Sequence, residues 1–128
     1  LLAYALDTTG GLVFTIYVKD LASGELLPVQ IPNAAYSLEW GEDGRSLYYT
    51  TFDHAHRPHR LYRHTLGSDP SQDELLHEEP NERLTLYLNK TRSGAFLTLR
   101  LWSHDGAEVR FKPAADPRAP FATLDPLR

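Results

Sequence analysis

The 128-residue sequence has no cysteine, no methionine and no long apolar run. Without cysteine there is no disulfide framework and no thiolate metal site, which leaves a reducing compartment possible. Without a run of about 20 apolar residues there is no membrane-spanning helix, and no membrane partner is expected. A natural reading frame normally begins with methionine. This one begins Leu1-Leu2-Ala3-Tyr4, inside an apolar strand pattern, so a piece of a longer chain is expected. Charge of one sign is also scarce: the formal net charge is −4, which gives no reason to expect nucleic acid or an anionic surface as partner. No segment carries a convincing helical period.

What remains is a strand-forming chain with 41% hydrophobic residues, enough for the core of one domain. Its centre is Leu47 to Glu79. Leu47 to Phe52 is β-branched and aromatic, His59 to Leu66 sets Leu61, Tyr62 and Leu66 among basic residues, and Glu74 to Glu78 is a short run on Leu75 and Leu76. Asp53 to Pro58 and Gly67 to Gln72 hold the turn residues between them. Ser37 to Trp40 precedes them across Gly41-Glu42-Asp43-Gly44, a hairpin signal. A four-stranded antiparallel meander is predicted. Before it stand strands at Leu1 to Leu6, Phe14 to Leu21 and Glu25 to Ile31, with turns at Asp7 to Gly11 and Ala22 to Gly24, and Pro28 marks an edge strand. After it, strands are predicted at Leu84 to Asn89, Ala95 to Trp102, Glu108 to Lys112 and, beyond a proline-rich loop, Phe121 to Leu124.

The pattern repeats. Leu2-Ala3-Tyr4 matches Leu47-Tyr48-Tyr49 at an offset of 45, and Ile16-Tyr17 matches Leu61-Tyr62 at the same offset. Glu25-Leu26-Leu27 matches Glu74-Leu75-Leu76 at 49, the longer Gly67 to Gln72 turn absorbing the difference. Gly44 matches Gly94 at 50, pairing Leu47, Tyr49 and Thr51 with Leu97, Leu99 and Leu101. Four strands per unit of this length describe a β-propeller blade. An all-β sandwich with coincidental spacing is the alternative, but strand order and turn positions repeat together, which favours the propeller.

At Arg57-Pro58, Tyr62-Arg63-His64, Leu66-Gly67 and Gln72-Asp73-Glu74-Leu75, closing on Glu78-Glu79, the chain resembles the N-terminal propeller of the oligopeptidase B group in the prolyl oligopeptidase family of serine peptidases. Tyr17 to Glu25 is similar to the preceding blade of that family, and Leu88 to Ser93 to the start of the following one. The resemblance implies an all-β fold: a partial propeller, about two and a half to three four-stranded antiparallel blades (approximately 1–32, 33–82 and 83–128) of a seven-bladed ring. It also implies a parent in which the propeller caps an α/β-hydrolase domain and restricts entry to short peptides, cleaved after Lys or Arg.

That catalytic domain is not in this sequence. The family's nucleophile stands in a Gly-x-Ser-x-Gly elbow between a strand and a helix. Ser23, Ser37, Ser46, Ser68, Ser71, Ser93 and Ser103 all lack that context, and Ser23-Gly24 and Ser93-Gly94 read as turns. No catalytic, cofactor-binding or metal-binding residue is assigned, and by itself the chain is not expected to be an enzyme. His54, His56, His59 and His64 are the cluster that could support other chemistry, since imidazole is a common metal ligand. His54-Ala55-His56 could chelate weakly in a loop, but no His-Glu-x-x-His spacing is present, and surface or packing roles are the expectation. Arg60 and Arg63 face a stretch holding Asp69, Asp73, Glu74, Glu78, Glu79 and Glu82. Those carboxylates could attract basic substrates, but cross-strand pairing is the preferred reading. Trp40 and Trp102 read as blade-packing residues.

The expected function is therefore the non-catalytic, substrate-gating portion of a serine oligopeptidase, without cofactor. Its partners would be the parent's hydrolase domain and, for the parent, short basic peptides. Open blade edges, above all Leu2 to Leu6, predict self-association. A β-propeller interaction module with no peptidase role is the alternative.

Overall fold

The computed structural model describes residues 1–7, 10–11 and 13–125, without the side chains of Tyr36, Leu124 and Asp125. The strands are β1 (Leu2–Leu6), β2 (Phe14–Lys19), β3 (Leu26–Trp40), β4 (Ser46–Phe52), β5 (Pro58–Thr65), β6 (Glu74–Glu78), β7 (Thr85–Lys90), β8 (Phe96–Ser103), β9 (Gly106–Pro113) and β10 (Ala122–Asp125). One 3-10 turn, Pro70–Gln72, is the helical element among the described residues. All pairings are antiparallel between consecutive strands, in a six-stranded sheet β1 to β6 and a four-stranded sheet β7 to β10. The fold is an all-β partial propeller, and the central meander runs as read from the sequence.

One expected break is lost, and the other strand ends shift by at most two residues. Glu25 to Ile31 and Ser37 to Trp40, expected as separate strands, are joined in the single strand β3. Ala34 pairs with Phe14 of β2 on one side and Thr51 of β4 on the other, so hydrogen bonding continues through the segment between the two expected strands. Asn33 takes the bend in a left-handed conformation (φ 61°), which Asn tolerates better than most residues. Pro28 lies in the half of β3 that pairs with β2 alone, at an irregularity between the Tyr17 and Lys19 pairs. In the expected Asp7 to Gly11 turn, Thr8 and Thr9 lie outside the described residues.

Two cores alternate through β4. Leu47 and Tyr49 pack with Ile16, Val18, Ile31 and Ala34 of the preceding strands. Tyr48, one residue away, packs with Leu61 and with Leu84, Leu86, Leu88, Leu97, Leu99 and Leu101 of the second sheet. The cause is the two-residue period of a strand, which sends neighbours to opposite faces. The repeat also fixes the hairpins. Gly44 and its counterpart Gly94 both have positive φ (71° and 77°), so a side chain at either position would be strained. At the first hairpin Asp43 accepts from the amides of Arg45 and Ser46, both at 3.0 Å. Burial pushes its carboxyl up, but these amides and the Ser46 hydroxyl together hold it below the usual range.

Candidate functional site

The polar side chains that the fold buries lie along the seams between packed strands. The first group faces the seam before β4. Tyr49 and Tyr62 stack at 5.5 Å between ring centroids, repeating the Tyr4–Tyr17 stack at 5.7 Å in β1 and β2. Asp73, just after the 3-10 turn, accepts from the Tyr49 hydroxyl and lies 2.6 Å from Nδ1 of His64. A carboxylate only accepts, so Nδ1 carries the proton. The His64 and Asp73 side chains are 0% and 2% exposed. Burial, then the Asp73 bond, raises the Tyr49 hydroxyl far above its usual range. An Asp–His pair is two-thirds of a hydrolytic triad. Here, however, Nε2 of His64 is buried with no hydrogen-bond partner among the described residues, where a triad would place the nucleophile. The arrangement can hold a strand in register.

The second group clamps the start of the second sheet. Arg57 pairs with Asp53 at 2.9 Å and donates to the carbonyls of Asn81 (2.7 Å), Leu84 (2.5 Å) and Glu79 (3.1 Å). Burial pushes Asp53 up, but the Arg57 guanidinium and the amides of Arg57 and Ala55 outweigh it and bring the carboxyl down to about 2. Across the other end of this seam, Lys112 is fully buried and donates to the Tyr48 hydroxyl (2.9 Å) and to the carbonyls of Asp116 (2.6 Å) and Pro113 (3.2 Å). Burial lowers its ammonium and raises the Tyr48 hydroxyl to about 12.

Between the sheets lies a cleft of 370 Å³ lined by Arg63, Glu74, Leu76, His77, Arg110 and Phe121, among others. A groove of 760 Å³ on the opposite face of β4 and β5 includes Asn33, Tyr49, Thr51, Arg60, Tyr62 and Asp73.

The structure separates the four clustered histidines. His54 and His56 stand in the exposed loop, His56 stacked on Phe52 at 3.9 Å, while His64 is the buried partner of Asp73. Among the described residues no group of three or more His, Asp or Glu is placed to hold a metal ion. Ser23 and Ser93 accept from the amides of Glu25 and Ala95 within their turns. The opposite charges meet across strands: Arg60 opposes Glu78 at 2.6 Å and Arg63 pairs with Glu74. Trp40 is half-buried in the first core, whereas Trp102 is 38% exposed on the outer face of the second sheet. Arg57 and Asp73 were visible only as motif letters. The pairing of His77 with Arg110, and the burial of Lys112, had no sequence signal, because each partner lies on a different sheet or loop.

The sequence matches the family described as prolyl oligopeptidase, N-terminal beta-propeller domain, over residues 1–128. The chain belongs to that family. It is 39% identical over 129 residues to Protease 2 of Moraxella lacunata, covering 99% of this chain and 19% of that protein. It is also 39% identical over 127 residues to dipeptidyl aminopeptidase BI of Pseudoxanthomonas mexicana, covering 98% of this chain and 17% of that one. The chain thus spans less than a fifth of the length of these relatives. Among solved structures, oligopeptidase B from Leishmania major superposes with a TM-score of 0.92 at 25% identity, over 98% of this chain and 18% of that one. Oligopeptidase B from Trypanosoma brucei, with bound antipain, gives 0.85 at 18% identity, over 98% of this chain and 18% of that one. Within that propeller segment, the Arg57 clamp and the Lys112–Tyr48 bond join the two sheets, and the Asp73 group ties strands of the first sheet together.

Proposed function

We propose that the chain is the access-restricting, non-catalytic part of a cytoplasmic serine oligopeptidase that cleaves short peptides after Lys or Arg. The observation that carries this reading is the superposition on an oligopeptidase B propeller over nearly the whole chain, joined to 39% identity with a protein named Protease 2. The internal chemistry supports the same role. Its buried polar groups are spent on holding strands and sheets together, and the serines whose partners are described serve turns. We assign blades at approximately 1–32, 33–82 and 83–128. The hydrolase domain of the parent is the proposed partner, and short basic peptides the proposed substrates.

The test has two arms. The purified chain should release no more fluorophore from an Arg or Lys peptide than buffer does. Turnover that survives repurification and is blocked by a serine-directed inhibitor would overturn the non-catalytic assignment. In the parent protein, removing these residues should relax discrimination against long peptides. Unchanged length selectivity in a folded, active deletion variant would overturn the gating role.

A further inference from the structure

The outer seam between the two sheets is closed by a hydrogen-bond chain that runs through one imidazole. On β9, Arg110 donates from Nε to Glu108, and its Nη1 lies 3.3 Å from Nδ1 of His77 on β6. Nε2 of His77 lies 3.2 Å from Oε1 of Glu79. A guanidinium has donors and no acceptor, so Nδ1 of His77 must accept, and the single ring proton sits on Nε2 and is donated to Glu79. The seam is therefore built for the neutral imidazole. Glu79 is a fixed partner: it is buried, its Oε2 accepts from the Asn81 amide at 3.0 Å, and its own amide donates to the His59 carbonyl at 2.8 Å.

We propose that His77 is a proton-operated latch between the second sheet and β6: neutral, it ties Arg110 to Glu79 across the seam, and protonated, it releases Arg110. A second ring proton occupies the lone pair that Arg110 uses and sets two cations against each other at hydrogen-bond distance. The same proton strengthens the contact with Glu79, so the imidazole stays with its own strand and the link across the seam is lost. The other charged groups around the cleft do not restore it. Glu108 is already engaged by Arg110, and Glu74 by Arg63. Arg118, also lining the cleft, adds a further positive charge to it. Leu76, Leu99 and Phe121 line the cleft beside the latch, so release exposes them further to water.

Hydrogen exchange of the 128-residue chain at about pH 8 and about pH 5, corrected for intrinsic amide rates, tests the latch. Loss of a charge-assisted hydrogen bond should lower protection in β6 and β9 about tenfold on acidification, relative to β7 and β8. The variant His77→Gln has a side-chain carbonyl for Arg110 and an NH₂ for Glu79 at every pH, so its protection should not change between the two conditions. An equal loss in wild type and His77→Gln, or no loss in wild type, overturns the proposal. Imidazole-nitrogen NMR of the wild-type chain at about pH 8 supplies a readout independent of the variant. A proton found on Nδ1 rather than Nε2 would be equally fatal.

Discussion

Arg57 and Asp53 form an ion pair at 2.9 Å with side chains only 11% and 8% exposed, and the same guanidinium reaches three backbone carbonyls between Glu79 and Leu84. One residue of the β4–β5 loop thereby fixes how the chain leaves the first sheet and enters the second.

Arg57→Ala should destabilise the chain by about 3–5 kcal/mol, because it strands a buried carboxylate and unpairs carbonyls at once. Arg57→Lys should recover only part of this, since an ammonium cannot reproduce the planar fork. Urea unfolding midpoints measure both. A loss below about 1 kcal/mol for Arg57→Ala would show that the clamp is ornamental.

The same pair sets an acid limit. Asp53 has a folded value of about 2 against 3.8 unfolded, so its contribution is fully present above pH 4. Its loss follows as the pH falls toward 2, where the unfolded state binds the extra proton. Asp53→Asn should flatten that part of the stability profile, and an unchanged acid limb would exclude Asp53 as its source.

Tyr48 sets an opposite, alkaline limit. Its hydroxyl stands at about 12 in the fold against 10.0 unfolded, so its contribution is complete below pH 10 and disappears as the pH rises through 12. Ultraviolet titration should show Tyr48 and Tyr49 ionising only with unfolding. Early ionisation of all seven tyrosines would contradict the burial of both.

Asp73→Ala should cost about 2–4 kcal/mol, because it leaves the Tyr49 hydroxyl and Nδ1 of His64 unpaired inside the protein. Asp73→Asn, which still accepts from one of them, should cost less. Thermal melts of the two variants give the order, and equal effects would argue against two separate acceptor roles.

The outer faces predict association. Leu2 and Leu6 are 44% and 48% exposed on edge strand β1, and Phe96 and Trp102 are 40% and 38% exposed on the face of β8 turned away from the first sheet. The buried leucines of β8 cover Tyr48 and Leu61, so its other face has the position of one that awaits a neighbour. Light scattering should show concentration-dependent oligomers, reduced by Trp102→Ser. A monodisperse monomer at high concentration would refute this.

Much of the fold could be read from the sequence because a blade is local. Leu97, Leu99 and Leu101 alternate with less buried neighbours, Gly44 and Gly94 mark equivalent hairpins, and within each sheet every strand pairs with the next. The join at Asn33 was not legible because proline and asparagine usually end strands, whereas here the flanking pairings carry the ladder through. The seam residues could not be read in the same way. His77 meets Arg110 and Lys112 meets Tyr48 across sequence separations of 33 and 64, and no periodicity in one strand encodes the face of another. Asp73 announced itself through family resemblance alone; its physical role needed the distance to His64.

Since Leu47 and Tyr48 serve different cores, β4 tolerates substitution far better than a change in length. Inserting one residue within it would deliver every following side chain to the wrong seam, charging two interiors with the error at the same time. Growth is confined to turns. The internal repeat bears that mark: the offset holds at 45 through the strands matching β4 and β5 and moves to 49 only past the Gly67 to Gln72 turn. Descendants of this sequence should therefore differ in loop length around an invariant strand frame, and a library of insertions would recover survivors almost entirely between strands.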